Sequence, residues 1–277
     1  GLIHYADELG YDEALIGEHH SGGWETMPAP EMALAMAAAK AHRIRLGTAV
    51  FSAPFHHPFY LAERMCFLDH LTHGRAILGV GPCSLVTDKI LFNMEEKALY
   101  PMLHEAVDVI VRLMEADEPI SHKGEYWQFD DLQLQLKSLQ QPRLPLAMPS
   151  AATPANLEMI GRNNMIWLSP TGKNRPDVRK NWEHVEKGAR EAGRVADRDN
   201  DKTAGQLVLL CRNNRGFRGL SHLLTEIYTQ PRTTRELSVT RDRLAEIGGP
   251  DGSGEAVAHL VGDGHRLLLA VEGMDGH

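Results

Sequence analysis

One order repeats along this chain: a short run of β-formers, a turn, then a stretch with helical spacing. The runs are 14–20 (ALIGEHH), 44–51 (IRLGTAVF), 76–82 (AILGVGP), 144–148 (LPLAM), 165–169 (MIWLS), 204–211 (AGQLVLLC) and 265–271 (HRLLLAV). Several are almost continuously apolar, as strands covered on both faces must be. Between them lie helical patterns at 30–42, 59–71, 101–115, 154–161 and 177–192, with a shorter one at 255–261. Pro58 is placed as a first-turn residue, Thr153 as a cap and Gly193 as a stop. Strands that alternate with helices imply parallel βαβ units.

Seven strands are counted. Residues 1–10 read as a helix ending at Gly10, and in a barrel that helix needs a strand before it. The expected fold is therefore α/β, a (β/α)8 barrel whose first strand is missing from the sequence; the alternative is an open, doubly wound sheet. A length of 277 residues suits one barrel domain spanning 1–277. Residues 121–145 are expected to make a hairpin or excursion, and 212–254, polar and rich in Arg and Thr, an insertion loop over the barrel mouth.

Composition narrows the function. Apolar residues make up 43%, charged residues 24%, and the formal net charge is −8. With no Lys/Arg stripe to neutralise phosphates, nucleic acid is not an expected partner. No apolar run nears the roughly 20 residues of a membrane span, and no secretory leader is expected. The three cysteines, Cys66, Cys83 and Cys211, are too few and too widely spaced for a disulfide framework or a zinc knuckle. They read as thiols of a cytoplasmic protein.

In a barrel the chemistry gathers at the C-terminal ends of the strands. There the chain carries Glu18, His19 and His20, then Thr48 and Ala49, then Gly81, Cys83, Ser84, Thr87 and Asp88, then Ser150 and Thr153, and finally Ser169. Adjacent histidines on a strand point to opposite sides, so neither His19-His20 nor His56-His57 reads as a metal pair. The Gly79-Val-Gly81 step lacks the third glycine of a dinucleotide fingerprint, and no prompt helix is expected after it. Pro149-Ser-Ala-Ala-Thr-Pro154 follows a buried strand and opens a helix. Free N–H groups and two hydroxyls there suit a phosphate, or Thr153 merely caps the helix.

The motifs Ala6-Asp-Glu-Leu-Gly-Tyr-Asp-Glu13, Gly17-Glu-His-His20, Arg43-Ile-Arg-Leu-Gly-Thr-Ala49, His57-Pro58, Leu68-Asp69, Gly74-Arg75 and Leu78-Gly-Val-Gly81 come in an order that resembles the luciferase-like, flavin-dependent monooxygenases. The resemblance is dense to about Ala192, and Gly17–His20 with Trp24 is most similar to the limonene and diketocamphane monooxygenase branch. It implies an α/β barrel, usually dimeric, that receives reduced FMN from a separate reductase. Reaction with O2 then gives a C4a-(hydro)peroxyflavin, which inserts one oxygen into a small apolar aldehyde, ketone or alkene.

By matching position, the resemblance implies that Ala49-Val50 forms the strained step beneath the flavin ring. Gly81 and Cys83 would line the ring, and Ser150, Ala151 and Thr153 would hold the phosphate. His19 would act at the reactive edge, while His20, Trp24, Phe55, Leu85 and Trp167 would shape the substrate pocket. A departure from several relatives is Pro82, where they carry an Arg. The resemblance leaves two alternatives open: a deazaflavin-dependent hydride-transfer oxidoreductase of the same fold, or a catalytically silent flavin-binding protein.

Overall fold

A computed structural model describes residues 2–21, 23, 26–169, 178–196, 255–260 and 267–272. Two compact units, Gly1–Ala196 and Asp197–His277, are distinguished. In the first, the order is α1 (Leu2–Glu8), β1 (Glu13–Ile16), α2 (Pro30–Ala38), β2 (Arg45–Thr48), β3 (Phe51–Ser52), a 3-10 turn (Ala53–Phe55), α3 (Pro58–Leu71), β4 (Ala76–Gly81), α4 (Val86–Leu91) and α5 (Glu96–Glu115). Then come β5 (Ile120–Lys123), β6 (Gln128–Leu132), β7 (Leu146–Pro149), α6 (Pro154–Arg162), β8 (Ile166–Leu168) and α7 (Val178–Glu191).

The strands pair in parallel in the order β1-β2-β4-β7-β8, with β3 beside the end of β4. Among the described strands this order never reverses, so they contain none of the switch points that define a doubly wound sheet. All six residues of β4 are buried, as are Leu46, Leu146, Ala147 and Met148 on its neighbours. Helices supply the other half of the core through Leu34, Leu61, Met65, Leu103, Val107, Ile110, Leu157 and Ile160. The buried cysteine Cys66 lies in this core, where burial pushes its thiol pKa up to about 12.

Strand contact is close at one point. The Thr48 hydroxyl donates to the Gly79 carbonyl (2.8 Å) and accepts from the Gly79 N–H (2.9 Å). A Cβ at Gly79 would lie 2.0 Å from the Thr48 carbonyl oxygen, so only glycine fits there.

Several boundaries differ from the sequence reading. The run 44–51 is two strands, broken at a cis peptide between Ala49 and Val50. Helix α5 begins at Glu96 rather than at Pro101; Leu99 joins the same buried face as Leu103 and Ile110, and that packing carries the helix through the proline. A short helix, α4, does follow the Gly79-Val-Gly81 step. Of the segment 255–261, the described residues 255–260 are not helical. They form β9 (Glu255–Leu260), paired antiparallel with β10 (Leu267–Glu272). Six residues are too few to nucleate a helix alone, and the ladder satisfies their backbone groups instead. β10 is thus a hairpin strand rather than a parallel one. The sixth run, 204–211, and the loop 212–254 lie outside the described residues.

Strands β5 and β6 form an antiparallel hairpin, clipped to α5 by one carboxylate. Glu105 accepts N–H groups from Glu125 (3.0 Å), Tyr126 (3.1 Å) and Trp127 (3.0 Å), and lies 3.0 Å from His122 Nε2. Burial raises its pKa, but these donors outweigh burial and hold it below the ordinary value. A depressed pKa contributes stability above the ordinary carboxylate range, and that stability is lost as pH falls through the folded value. Glu105→Gln should therefore cost about 2 kcal/mol at pH 7. In urea titrations of both proteins the gap should narrow towards pH 3; a gap independent of pH would refute the role of the charge.

Candidate functional site

The chain leaves β1 into the loop 17–21, and backbone bonds moor that loop to the break between β2 and β3. Ala49 N–H donates to Ile16 O (2.8 Å), and Glu18 N–H donates to Val50 O (3.2 Å). The Glu18 side chain is buried. Its Oε2 accepts the Ser52 N–H at 2.6 Å, and its Oε1 lies 2.6 Å from His56 Nε2 and 3.1 Å from His20 Nε2.

A second buried carboxylate, Asp88 of α4, holds the same loop from the other side. It accepts the His20 N–H at 3.2 Å and the Ser21 hydroxyl, and lies 3.4 Å from His19 Nδ1. Burial would raise the Asp88 pKa; Ser21, the His20 amide and His19 outweigh it and keep the carboxyl below its ordinary value. His19 therefore faces an ionised acceptor at Nδ1, which favours a proton on that nitrogen.

Aromatic rings gather beside these groups. Phe55 stacks on Phe92 with centroids 4.3 Å apart, and His20 meets Phe92 edge-on at 4.8 Å and Phe55 at 6.0 Å. Leu85 precedes α4, and its carbonyl receives the Cys83 thiol at 3.7 Å. Cys83 adopts a positive φ of 71°. Burial pushes its pKa up, against a hydrogen bond with Ser52.

The strand ends beneath the loop converge. A Cβ at Gly81 would lie 2.5 Å from Val50 Cγ2 and 3.4 Å from Pro149 Cγ. Val50, Gly81 and Pro149 thus form one surface, with Ser150 next along the chain. The Ser150 N–H donates to Leu168 O (3.1 Å), and its carbonyl accepts the Trp167 indole N–H (2.7 Å). The Ser150 hydroxyl is buried and has no hydrogen-bond partner among the described residues. Ala151 is exposed. Exposed Thr153 occupies the N-cap position of α6, but its side chain makes no capping bond.

The site residues expected from sequence therefore fall into two neighbouring groups. His19, His20, Phe55 and Leu85 surround the loop and α4. Ala49, Val50, Gly81, Cys83, Ser150, Ala151 and Thr153 follow the strand ends. Trp167 stands with the second group rather than in the aromatic cluster, stacked on Trp182 at 6.5 Å. Trp24 lies outside the described residues.

Sequence reasoning assigned no role to Glu18 or Asp88, although both stood at strand ends, and it passed over Ser52 and Phe92 altogether. An acid directly before two histidines was the available signal for Glu18. Nothing local marks a partner that is 34 or 68 positions away.

Among the described residues no group of three His, Cys, Asp or Glu is arranged to hold a metal, and no helix is long and apolar enough to cross a membrane.

The chain is similar to 4-hydroxyprotoasukamycin monooxygenase of Streptomyces nodosus subsp. asukaensis, at 39% identity over 208 residues, covering 73% of this chain and 56% of that protein. It is 35% identical over 207 residues to limonene 1,2-monooxygenase of Rhodococcus erythropolis, covering 74% and 53%. Among solved structures, it resembles the oxygenating constituent of 3,6-diketocamphane monooxygenase from the CAM plasmid of Pseudomonas putida. That protein is a type II Baeyer-Villiger monooxygenase in complex with FMN (TM-score 0.61, 26% identity, 71% of this chain and 57% of that one). The chain spans about half the length of the curated relatives it matches. Residues 1–215 match the luciferase-like monooxygenase family, and with the ordered motifs, the parallel sheet and the strand-end site, the chain belongs to that family.

Proposed function

We propose that this protein is the oxygenase of a two-component monooxygenase, using reduced FMN from a separate reductase to insert one atom of O2 into a small apolar aldehyde, ketone or alkene. The observation that carries the reading is the Ser150 hydroxyl. A buried hydroxyl without a partner is costly, and this one sits just before a helix N-terminus where an anion would be welcome. Thr153, uncommitted as a cap, adds a second donor. The residues present therefore fit a phosphorylated flavin.

In this reading Ser150, Ala151 and Thr153 hold the phosphate, while Ala49, Val50, Gly81 and Cys83 border the ring. Reduced FMN, when bound, supplies the electrons that activate O2. The protein's own residues do the rest. Asp88 keeps His19 oriented by its Nδ1 side, and the His19 ring gives or takes a proton at the reacting oxygen. His20, Phe55 and Leu85 border the substrate beside the Phe55–Phe92 stack and limit water there.

The same proposal includes a (β/α)8 barrel in one domain and a cytoplasmic homodimer. Support for the dimer comes from α2 and α3. Arg64 and Glu31 bridge the two helices at 3.3 Å, and between them the helices expose Met32, Met36, Tyr60 and Phe67.

Three outcomes follow. Changing Ser150 and Thr153 together to Ala should weaken reduced-FMN binding by about 2–4 kcal/mol in anaerobic titration, while Ser150→Ala alone leaves thermal stability unchanged or raised. Unaltered affinity would remove the phosphate assignment. His19→Ala should keep the fold and the flavin affinity but cut product formed per O2 consumed; normal coupling would return His19 to a structural role. Met36→Lys with Phe67→Glu should halve the mass seen by sedimentation, and an unchanged mass would place any dimer contact elsewhere.

A further inference from the structure

The catalytic reading leaves one buried group unused. Glu18 is 2% exposed, and its carboxyl meets the Ser52 amide at Oε2 and two imidazole Nε2 atoms at Oε1. A carboxylate can only accept. Each neutral imidazole carries a single proton, so an oxygen that contacts both Nε2 atoms dictates where that proton sits.

We propose that Glu18 is a positioning residue that fixes both His20 and His56 as the Nε2–H tautomer. Their Nδ1 atoms are then left as acceptors, and the His20 ring is locked against Phe55 and Phe92. The loop carries two imidazoles of opposite sense: His19 is addressed at Nδ1 by Asp88, and His20 at Nε2 by Glu18. The two carboxylates that address these rings come from different elements, Asp88 from α4 and Glu18 from the loop itself. His56 serves as the second tether: its ring packs edge-on to Phe51 at 5.3 Å, which ties the carboxylate to the core.

The amide replacement makes the idea sharp. In Glu18→Gln the Ser52 N–H can be met only by the amide oxygen, because the alternative sets two donors face to face. The amide NH2 must then occupy the place of Oε1. Its two hydrogens point to the two Nε2 atoms, which become acceptors, and both rings must move their proton to Nδ1.

The test is nitrogen-15 NMR of the full chain with labelled histidine at neutral pH, the two rings being assigned by loss of signal in His20→Gln and His56→Gln. The expected wild-type spectrum has both rings as Nε2–H, and Glu18→Gln converts both to Nδ1–H. A wild-type Nδ1–H pattern, or tautomers unchanged in Glu18→Gln, would overturn the proposal. Should Glu18→Gln fail to fold, the wild-type spectrum still decides. His56→Gln adds a check, since His20 should stay Nε2–H without its neighbour.

No flavin is needed for this measurement, so its failure and that of the monooxygenase reading are distinguishable. A second readout does rest on that reading: Glu18→Gln should raise KM for substrate about tenfold, one hydrogen-bonding group being misdirected, with reduced-FMN affinity unchanged. An unchanged KM alongside inverted tautomers would confine Glu18 to loop architecture and overturn its role in the pocket.

Discussion

Every residue of β4 is out of water, and a strand buried on both faces has no place for a polar side chain along its length. Its neighbours can approach only as closely as their own side chains permit. At Gly79 the Thr48 hydroxyl bonds to both backbone groups of the facing residue, and there is room for nothing larger than hydrogen. This packing leaves chemistry one outlet, the strand ends, where chain direction is the same for β1, β2, β4, β7 and β8. The clustering of Val50, Gly81, Pro149 and Ser150 follows from parallel strands of similar length ending at one level.

What holds the loops at both ends of the strands is a set of buried or half-buried acids. Asp7 takes the amides of His42, Arg43 and Ile44. Asp69 takes those of Ala76, Leu139 and Gln140, and Glu105 those of the β5–β6 turn. Glu18 and Asp88 do the same for the loop after β1. An ionised carboxylate meeting backbone N–H groups makes stronger bonds than neutral partners do, so irregular segments gain the rigidity that strands gain from ladders. The acidic balance of the chain is thus partly internal: several acids face amides rather than solvent.

How much of this could be read in advance depended on range. The parallel strands were legible because a strand covered on both faces must be apolar throughout, as 76–81 is. The helix starts at Pro58 and Pro154 were legible because proline suits a first turn. Pro101 misled for the same reason, since packing of Leu99 carried α5 past it. Residues 255–260 misled because their state is decided by a partner strand rather than by their own spacing. In the site, His19 and His20 stood out as a local motif at a strand end. Their carboxylate partners were visible as residues but not as partners, because Asp88 lies on a separate helix and Glu18 reaches Ser52 and His56, 34 and 38 positions further along the chain.

The two described cysteines share a property that bears on durability. Burial drives the thiol of Cys66 to a pKa of about 12 and raises that of Cys83. Oxidants of the peroxide type attack the thiolate rather than the thiol. At neutral pH Cys66 offers almost none of that form and Cys83 little, although Cys83 borders the strand-end site. Sulfur can therefore stand beside the strand-end site without being lost to sulfenic acid, because the same packing that builds the core keeps it protonated.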